Sequence, residues 1–281
     1  MERRGFLKQL CVAGASTVAV SSQSSAAEPV SDKEFVSVLV DTNRCIGCRD
    51  CEVACAVQND LPVPDGKDKS VFREIRDTSP TEWTVVNEFE TDAGKIYVKK
   101  QCMHCNQAAC ATACLTQAMY KTQDGPVIWR ESKCMGCRYC MVSCPFNIPK
   151  FEYDSPNPKI QKCIFCFELL EEGEVPACVQ SCPVEALEFG PRREMVRHAH
   201  NRIHDDPHMY VHHIYGEDEV GGTGWLYLSR VPFDQIGFRT DLGTEPVPEQ
   251  TQAFLYAVPV IFLLWPAFLN AIRRKEGGEQ S

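Results

Sequence analysis

CMGCRYCMVSCP, Cys134 to Pro145, decides the fold: three cysteines at intervals of three, a fourth cysteine four residues on, and a proline directly behind it. A cubane iron-sulfur cluster takes one thiolate on each of its four irons, and CxxCxxC lets one short loop wrap three irons from a single side. The fourth ligand then comes from elsewhere. In two-cluster ferredoxins the last cysteine of each run, with proline after it, crosses over to the other cluster. Related groups occur at CIGCRDCEVAC (Cys45 to Cys55), CMHCNQAACATAC (Cys102 to Cys114), and CIFC with CVQSCP (Cys163 to Pro183). Together they use all but one of the chain's 17 cysteines, the ligand count for four [4Fe-4S] clusters. Cys144 and Cys182 carry the proline, whereas Cys55 and Cys114 do not.

Zinc and disulfides also use clustered cysteines. Soft thiolates suit zinc, and all-cysteine zinc sites use paired CxxC motifs. Zinc ribbons, however, have no need of a third cysteine three residues on and a fourth four further. Disulfides gain weight from the N-terminus, where Arg3 and Arg4 precede Phe6, Leu7 and Lys8, a weakly apolar stretch from Leu10 to Val20, and the small residues Ser25, Ala26 and Ala27. This reads as a twin-arginine export signal over 1–27, cut after Ala27. An oxidising destination ordinarily favours disulfides, yet a disulfide framework gains nothing from three cysteines spaced around one iron cube. The twin-arginine route resolves the conflict, because it resembles the pathway for proteins folded and loaded with cofactor before export. Cys11 lies inside the signal and is discarded with it in this reading.

The opposite end carries a second membrane signal. No residue from Ala253 to Leu269 is charged, and a helix of that run is roughly 26 Å long against a hydrocarbon core of about 30 Å. A transmembrane helix over 251–272 is therefore expected, with Asn270 to Ile272 contributing. Arg273, Arg274 and Lys275 follow, and basic residues stay cytoplasmic, so the bulk would face the periplasm and the tail 273–281 the cytoplasm. Pro259 and Pro266 weaken an isolated helix, but membrane helices tolerate proline better than soluble ones. A buried core helix or an amphipathic segment on a partner is the alternative. The net charge of -9 argues against a nucleic-acid surface.

An internal duplication organises the rest. Groups two and three form one dicluster unit over 97–144: KIYVKKQC is a strand candidate, ACATACLTQAM a short helix, and MYKT, QDGP and VIWR a hairpin. Groups one and four form the other, over 28–55 and 145–190, with VSVLVDTNRC leading in and VQSCPVEALEFG closing. The halves are nested, not consecutive. The insertion 56–96, with FREI and TEWTVVNEFE, reads as strands capping the clusters, and 191–250 as an extension on the cluster domain or a partner. The expected fold class is α+β, two nested ferredoxin-like units related by a pseudo-two-fold, plus the C-terminal transmembrane helix.

Four cysteine groups in this order, with KKQCMHC, CMGCRYCMVSCP and the late CxxC then CxxxCP, resemble the four-cluster electron-transfer subunits of membrane-bound respiratory oxidoreductases of the DMSO reductase and formate dehydrogenase type. The twin-arginine start, HIYGEDEVGGTGWLYLS (His213 to Ser229) and the C-terminal anchor are most similar to the ferredoxin-like subunit of type-2 membrane-bound uptake hydrogenases, with related chains in periplasmic quinone-reductase complexes. The resemblance spans nearly the whole mature chain, and none of the sixteen ligand positions is replaced. It implies that Cys45, Cys48 and Cys51 bind a cluster completed by Cys182, and Cys163, Cys166 and Cys178 one completed by Cys55. Likewise Cys102, Cys105 and Cys110 pair with Cys144, and Cys134, Cys137 and Cys140 with Cys114. The implied function is relay of single electrons between a periplasmic catalytic subunit (a hydrogenase, molybdoenzyme or multihaem cytochrome) and a quinone-reactive integral membrane subunit. A non-catalytic docking or structural module is the alternative. An enzyme in its own right is disfavoured, because the sequence carries no substrate-pocket signature, nucleotide-binding glycine motif or nucleophile-base pair.

Several residues invite a tuning role. Gly47 and Gly136 are expected to let backbone N–H groups reach cluster sulfurs. His104 is placed to donate to a sulfur and tune potential with pH, or else simply to be exposed. Arg138 and Tyr139 either tune a cluster or touch a partner. His200, His204, His208 and His212 recur every four residues, but Pro207 breaks that helix, so a solvated or interfacial helix is expected rather than a metal or haem site. The acidic run Glu168 to Glu174 reads as a solvated face, and GEDEVGG as a docking loop or an ordinary turn.

Overall fold

Val36–Asp41 (VSVLVD) forms the central strand β1, and Ser37 through Asp41 are buried on both faces. A strand covered on both sides needs apolar residues without alternation, and Val38, Leu39 and Val40 supply them. The computed structural model describes residues 34–250 and 252–278; the expected export signal over 1–27, with Cys11, lies outside the described residues. Val85–Thr91 (β2) and Gly94–Lys100 (β3) pair antiparallel as a hairpin across the insertion. FREI, expected as a strand, instead lies at a single 3-10 turn, Ser70–Arg73. Phe72 there packs on Tyr97 of β3, ring centroids 5.4 Å apart, so a side-chain anchor replaces strand pairing.

Short elements frame the cysteines. Asp50–Gln58 (α1), Ala109–Thr112 (α2) and Tyr139–Ser143 (α3) each start inside a cysteine group. Met119–Lys121 (β4) and Val127–Trp129 (β5) make the hairpin expected between groups two and three, and Lys150–Phe151 (β6) pairs with Ile160–Gln161 (β7). Phe167–Glu171 (α4) stops at Gly173, whose φ of 80° ends the turn, and Ala177–Gln180 (α5) carries Cys178. Helix α1, from group one, packs against α5, from group four, and α2, from group two, against α3, from group three.

Leu187–Pro191 (β8) runs antiparallel to β1, with Val38 opposite Phe189. Arg192–Asp205 (α6) then covers the outer face of the sheet, where Met195, Ala199 and Ile203 pack on Leu39, Leu226 and Leu228. Trp225–Leu228 (β9) adds to the other edge of β1 in parallel, Val38 opposite Trp225. Val38, Val40, Trp225 and Tyr227 point to the opposite face, into the aromatic core beside the cysteines.

Val247–Gln250 (α7) touches α2, where Gln107 donates to Glu249 at 2.9 Å. Gln252–Gly278 (α8) follows, 27 residues with Pro259 and Pro266 inside it. Val260 to Leu264 on it are exposed. Side chains are described along only part of α8, and among the described residues no helix offers an apolar run long enough to cross a membrane.

Candidate metal centres

The third residue of the first CxxC in each cysteine group turns the chain the same way. Gly47, His104, Gly136 and Phe165 have φ of 65°, 50°, 72° and 64°. This left-handed turn aims backbone N–H groups at the preceding sulfur: Gly136 donates to Cys134 Sγ at 3.4 Å and Phe165 to Cys163 Sγ at 3.3 Å. Glycine accepts the conformation freely, while a residue with a Cβ is strained by about 1–2 kcal/mol. His104 and Phe165, each 1% exposed, are held there by packing, their rings edge-on at 4.8 Å. A second shared turn follows three of the fourth cysteines, at Gln117, Asn147 and Glu185 (φ 54°, 53° and 50°). Beyond it, Met119 donates to Cys114 Sγ and Ala186 to Cys182 Sγ, both at 3.3 Å. Such N–H···S bonds are among the levers that set a cluster's potential.

Electrostatic neighbours show which cysteines the fold brings together. Cys45 has Cys48 and Cys182 beside it, and Cys48 also faces Cys182. Cys55 meets Cys163, Cys178 and Cys166, and these four line one cavity. Around Cys105 stand Cys102, Cys144 and Cys110, and around Cys140 stand Cys114, Cys134 and Cys137. The sets adjoin in a line: Cys51 lies near Cys178, Cys163 near Cys102, and Cys110 near Cys140. Cys55, Cys163, Cys166 and Cys178, near the middle, are buried; at the ends Cys45, Cys48 and Cys51 are half-buried and Cys137 is exposed.

None of the sixteen cysteines is in a disulfide. Burial pushes the thiols of Cys45, Cys140 and Cys166 up to about 11 and that of Cys163 to about 12, with Cys51, Cys55 and Cys105 also well above the ordinary value. Cys114 goes the other way, because hydrogen bonds from Met119 and Thr116 outweigh its burial. Buried thiols of this kind ionise only against a strong positive partner, which iron supplies. Among the described residues no three of His, Cys, Asp and Glu converge on one point as ligands of a single ion would; the thiols surround a volume instead. Trp225, which lines the cavity with Cys55, and His104 each have a buried ring nitrogen without a hydrogen-bond partner among the described residues. All-thiol donors, a hollow between them and unmet N–H groups fit cubane clusters.

His104 is 1% exposed, which corrects the surface alternative. Its Nδ1 accepts from Val127 N–H at 2.9 Å, and burial, with Lys162 and Lys121 nearby, holds its pKa well below the ordinary value. Arg138 is exposed and stacks over Phe151 and Tyr153 at 5.3 and 5.8 Å, beside exposed Tyr139. Helix α6 ends at Asp205, so His208 and His212 leave the line of His200 and His204. In GEDEVGG the buried Glu219 accepts from Gly216 N–H and bonds His213 Nε2, both at 2.6 Å, so the segment is a turn bonded to itself. Sequence reasoning missed the left-handed His104 and Phe165 and the buried Lys99, although the fixed offset within CxxC signals the first two.

Residues 94–192 match the 4Fe-4S dicluster domain family, and residues 37–59 a 4Fe-4S binding domain. The chain is 32% identical to the hydrogenase-2 operon protein HybA of Escherichia coli O157:H7, covering 98% of this chain and 95% of that one. It is 35% identical to the iron-sulfur subunit of nitrate-inducible formate dehydrogenase of Escherichia coli K12, over 70% and 68% of the two chains. Against the probable anaerobic dimethyl sulfoxide reductase chain YnfG of the same strain the identity is 38%, over 56% and 73%. The chain therefore belongs to the ferredoxin-like iron-sulfur subunits of multi-subunit oxidoreductases, an electron-transfer subunit with four [4Fe-4S] clusters rather than an enzyme alone.

Proposed function

We propose that the chain carries single electrons between a periplasmic catalytic subunit and a quinone-reactive integral membrane subunit, held to the cytoplasmic membrane by α8 with its bulk outside. The proposed ligand sets are Cys45, Cys48, Cys51 and Cys182; Cys163, Cys166, Cys178 and Cys55; Cys102, Cys105, Cys110 and Cys144; and Cys134, Cys137, Cys140 and Cys114. The observation that carries the reading is their linear order, with a buried middle and more exposed ends. When bound, each cluster supplies one-electron storage. The polypeptide holds neighbouring sets within reach, buries the set around Cys163 fully and leaves Cys137 at one end exposed.

The placement of the anchor supports a polarity. Exposed apolar side chains stand at both ends of the wire, Leu115, Met135, Tyr139 and Val142 around Cys137 and Ile46 and Val57 around the first group, so either end suits an interface. Helix α7 lies on α2, so the anchor leaves the body beside this second unit. The Cys137 end then faces the membrane partner and the Cys45 end the catalytic subunit. The export signal over 1–27 and the basic residues after 272 agree with that topology. Affinity purification of the native complex from membranes tests it. A co-purifying catalytic subunit and quinone-linked turnover that the isolated chain lacks are expected; recovery of the chain alone from the soluble fraction would sink the proposal.

A further inference from the structure

Lys99, on β3, is 3% exposed, yet its ammonium has no carboxylate partner among the described residues. Its Nζ donates to Gln101 Oε1 at 2.9 Å and stands 4.4 Å from the centre of the Trp225 ring. Both partners are neutral. Gln101 is fixed in turn by the Tyr227 hydroxyl at 2.6 Å. An ammonium offers three donors, and burying one without a counter-charge is costly. The missing negative charge belongs to the cysteine sets. Lys99 lines the cavity framed by Cys55, Cys163, Cys166 and Cys178, and it acts on Cys45 and Cys51 of the neighbouring set as well. Burial works to lower its pKa, but Cys178, Cys51 and Cys163 outweigh burial and hold it above the ordinary value. At the far end of the wire the groups acting on Cys140 are Cys114, Cys134 and Cys137, with no lysine among them.

A cluster held by four thiolates is anionic and gains one more negative charge on reduction, so a fixed cation beside it favours the reduced form, most strongly where water is excluded. We propose that Lys99 is the shared counter-charge of the first cluster pair, raising the reduction potentials of the clusters at Cys45, Cys48, Cys51 and Cys182 and at Cys163, Cys166, Cys178 and Cys55 together. One cation between two neighbours moves both potentials the same way, which keeps the step between them shallow for transfer in either direction. Trp225 and Gln101 together fix the position of the cation. The inference rests on the ligand sets proposed above.

Potentiometric titration of the cluster-loaded protein in its native complex, read by electron paramagnetic resonance, tests it. Lys99→Met should lower two of the four potentials, each by at least a tenfold fall in the equilibrium constant for reduction, about 59 mV for one electron. Lys99→Arg should keep them near the parent values, and the cluster at Cys134, Cys137, Cys140 and Cys114 should not move in either variant. Four unmoved potentials in a fully loaded Lys99→Met protein would overturn the proposal. Should Lys99→Met fail to load, iron per chain is compared in Lys99→Arg and Lys99→Gln: full loading with arginine and loss from the first pair with glutamine supports the counter-charge, and equal loss in both overturns it. A parent protein without four reducible clusters would instead refute the ligand sets.

Discussion

Gly47 and Gly136 share a backbone conformation but not a neighbourhood, and the difference gives a test. A Cβ at Gly47 would lie 2.4 Å from the Tyr97 ring, whereas one at Gly136 meets nothing within 4 Å. Alanine strains the left-handed turn at either site by about 1–2 kcal/mol, and displacing a packed ring adds about 1–3 kcal/mol at Gly47 alone. Thermal unfolding of the loaded variants should therefore show Gly47→Ala clearly less stable than Gly136→Ala; equal midpoints would contradict the packing argument. Both glycines were legible, because glycine between two ligand cysteines announces a turn. His104 and Phe165 were not, since neither residue type advertises positive φ and only the tertiary contact between their rings holds it. Lys99 was equally silent: KIYVKK alternates like any half-exposed strand, and nothing in it says which lysine is buried.

Helix α1 shows how an element is fixed to the insertion. Arg49, left-handed and 2% exposed, precedes the helix and pairs with Glu52 at 2.7 Å while donating to the carbonyls of Asp65 and Asp68 at 2.7 and 2.8 Å. The other oxygen of Glu52 takes Arg76 and the Val86 N–H, both at 2.5 Å. One carboxylate thus binds the first cysteine helix, the loop after it and β2. Glu52→Ala leaves two guanidiniums without it and is expected to cost about 3–5 kcal/mol, while Glu82→Ala, at the more exposed end of the same network, stays within about 1 kcal/mol. Denaturant unfolding of both variants checks this, and similar losses would remove the network's special place. At this scale the short helices and the β4–β5 hairpin could be read from spacing and turn residues. The parallel docking of β9 on β1 could not, because WLYL carries no local mark of its partner strand.

For the whole molecule, the ligand count was readable in the cysteine pattern, and the order of the sets along the wire was not. Spacing fixes which cysteines wrap one cluster from one side; only the packing of α1 on α5 and α2 on α3, and the meeting of Cys163 with Cys102, lines the sets up. The same packing makes the clusters part of the core. Removing iron with a chelator under anaerobic conditions should expose apolar surface and lower the melting temperature by far more than any substitution above, since binding energy is folding energy in such sites; an apo-protein that melts with the loaded one would show the clusters to be peripheral. The central claim, four clusters serving as one wire, is tested most directly by metal analysis of the native protein combined with a redox titration under electron paramagnetic resonance. About sixteen irons per chain and four one-electron [4Fe-4S] centres, with spectra broadened by coupling between neighbours, are the predicted result. Zinc in place of iron, or reducible centres that are fewer than four or magnetically isolated, would contradict it.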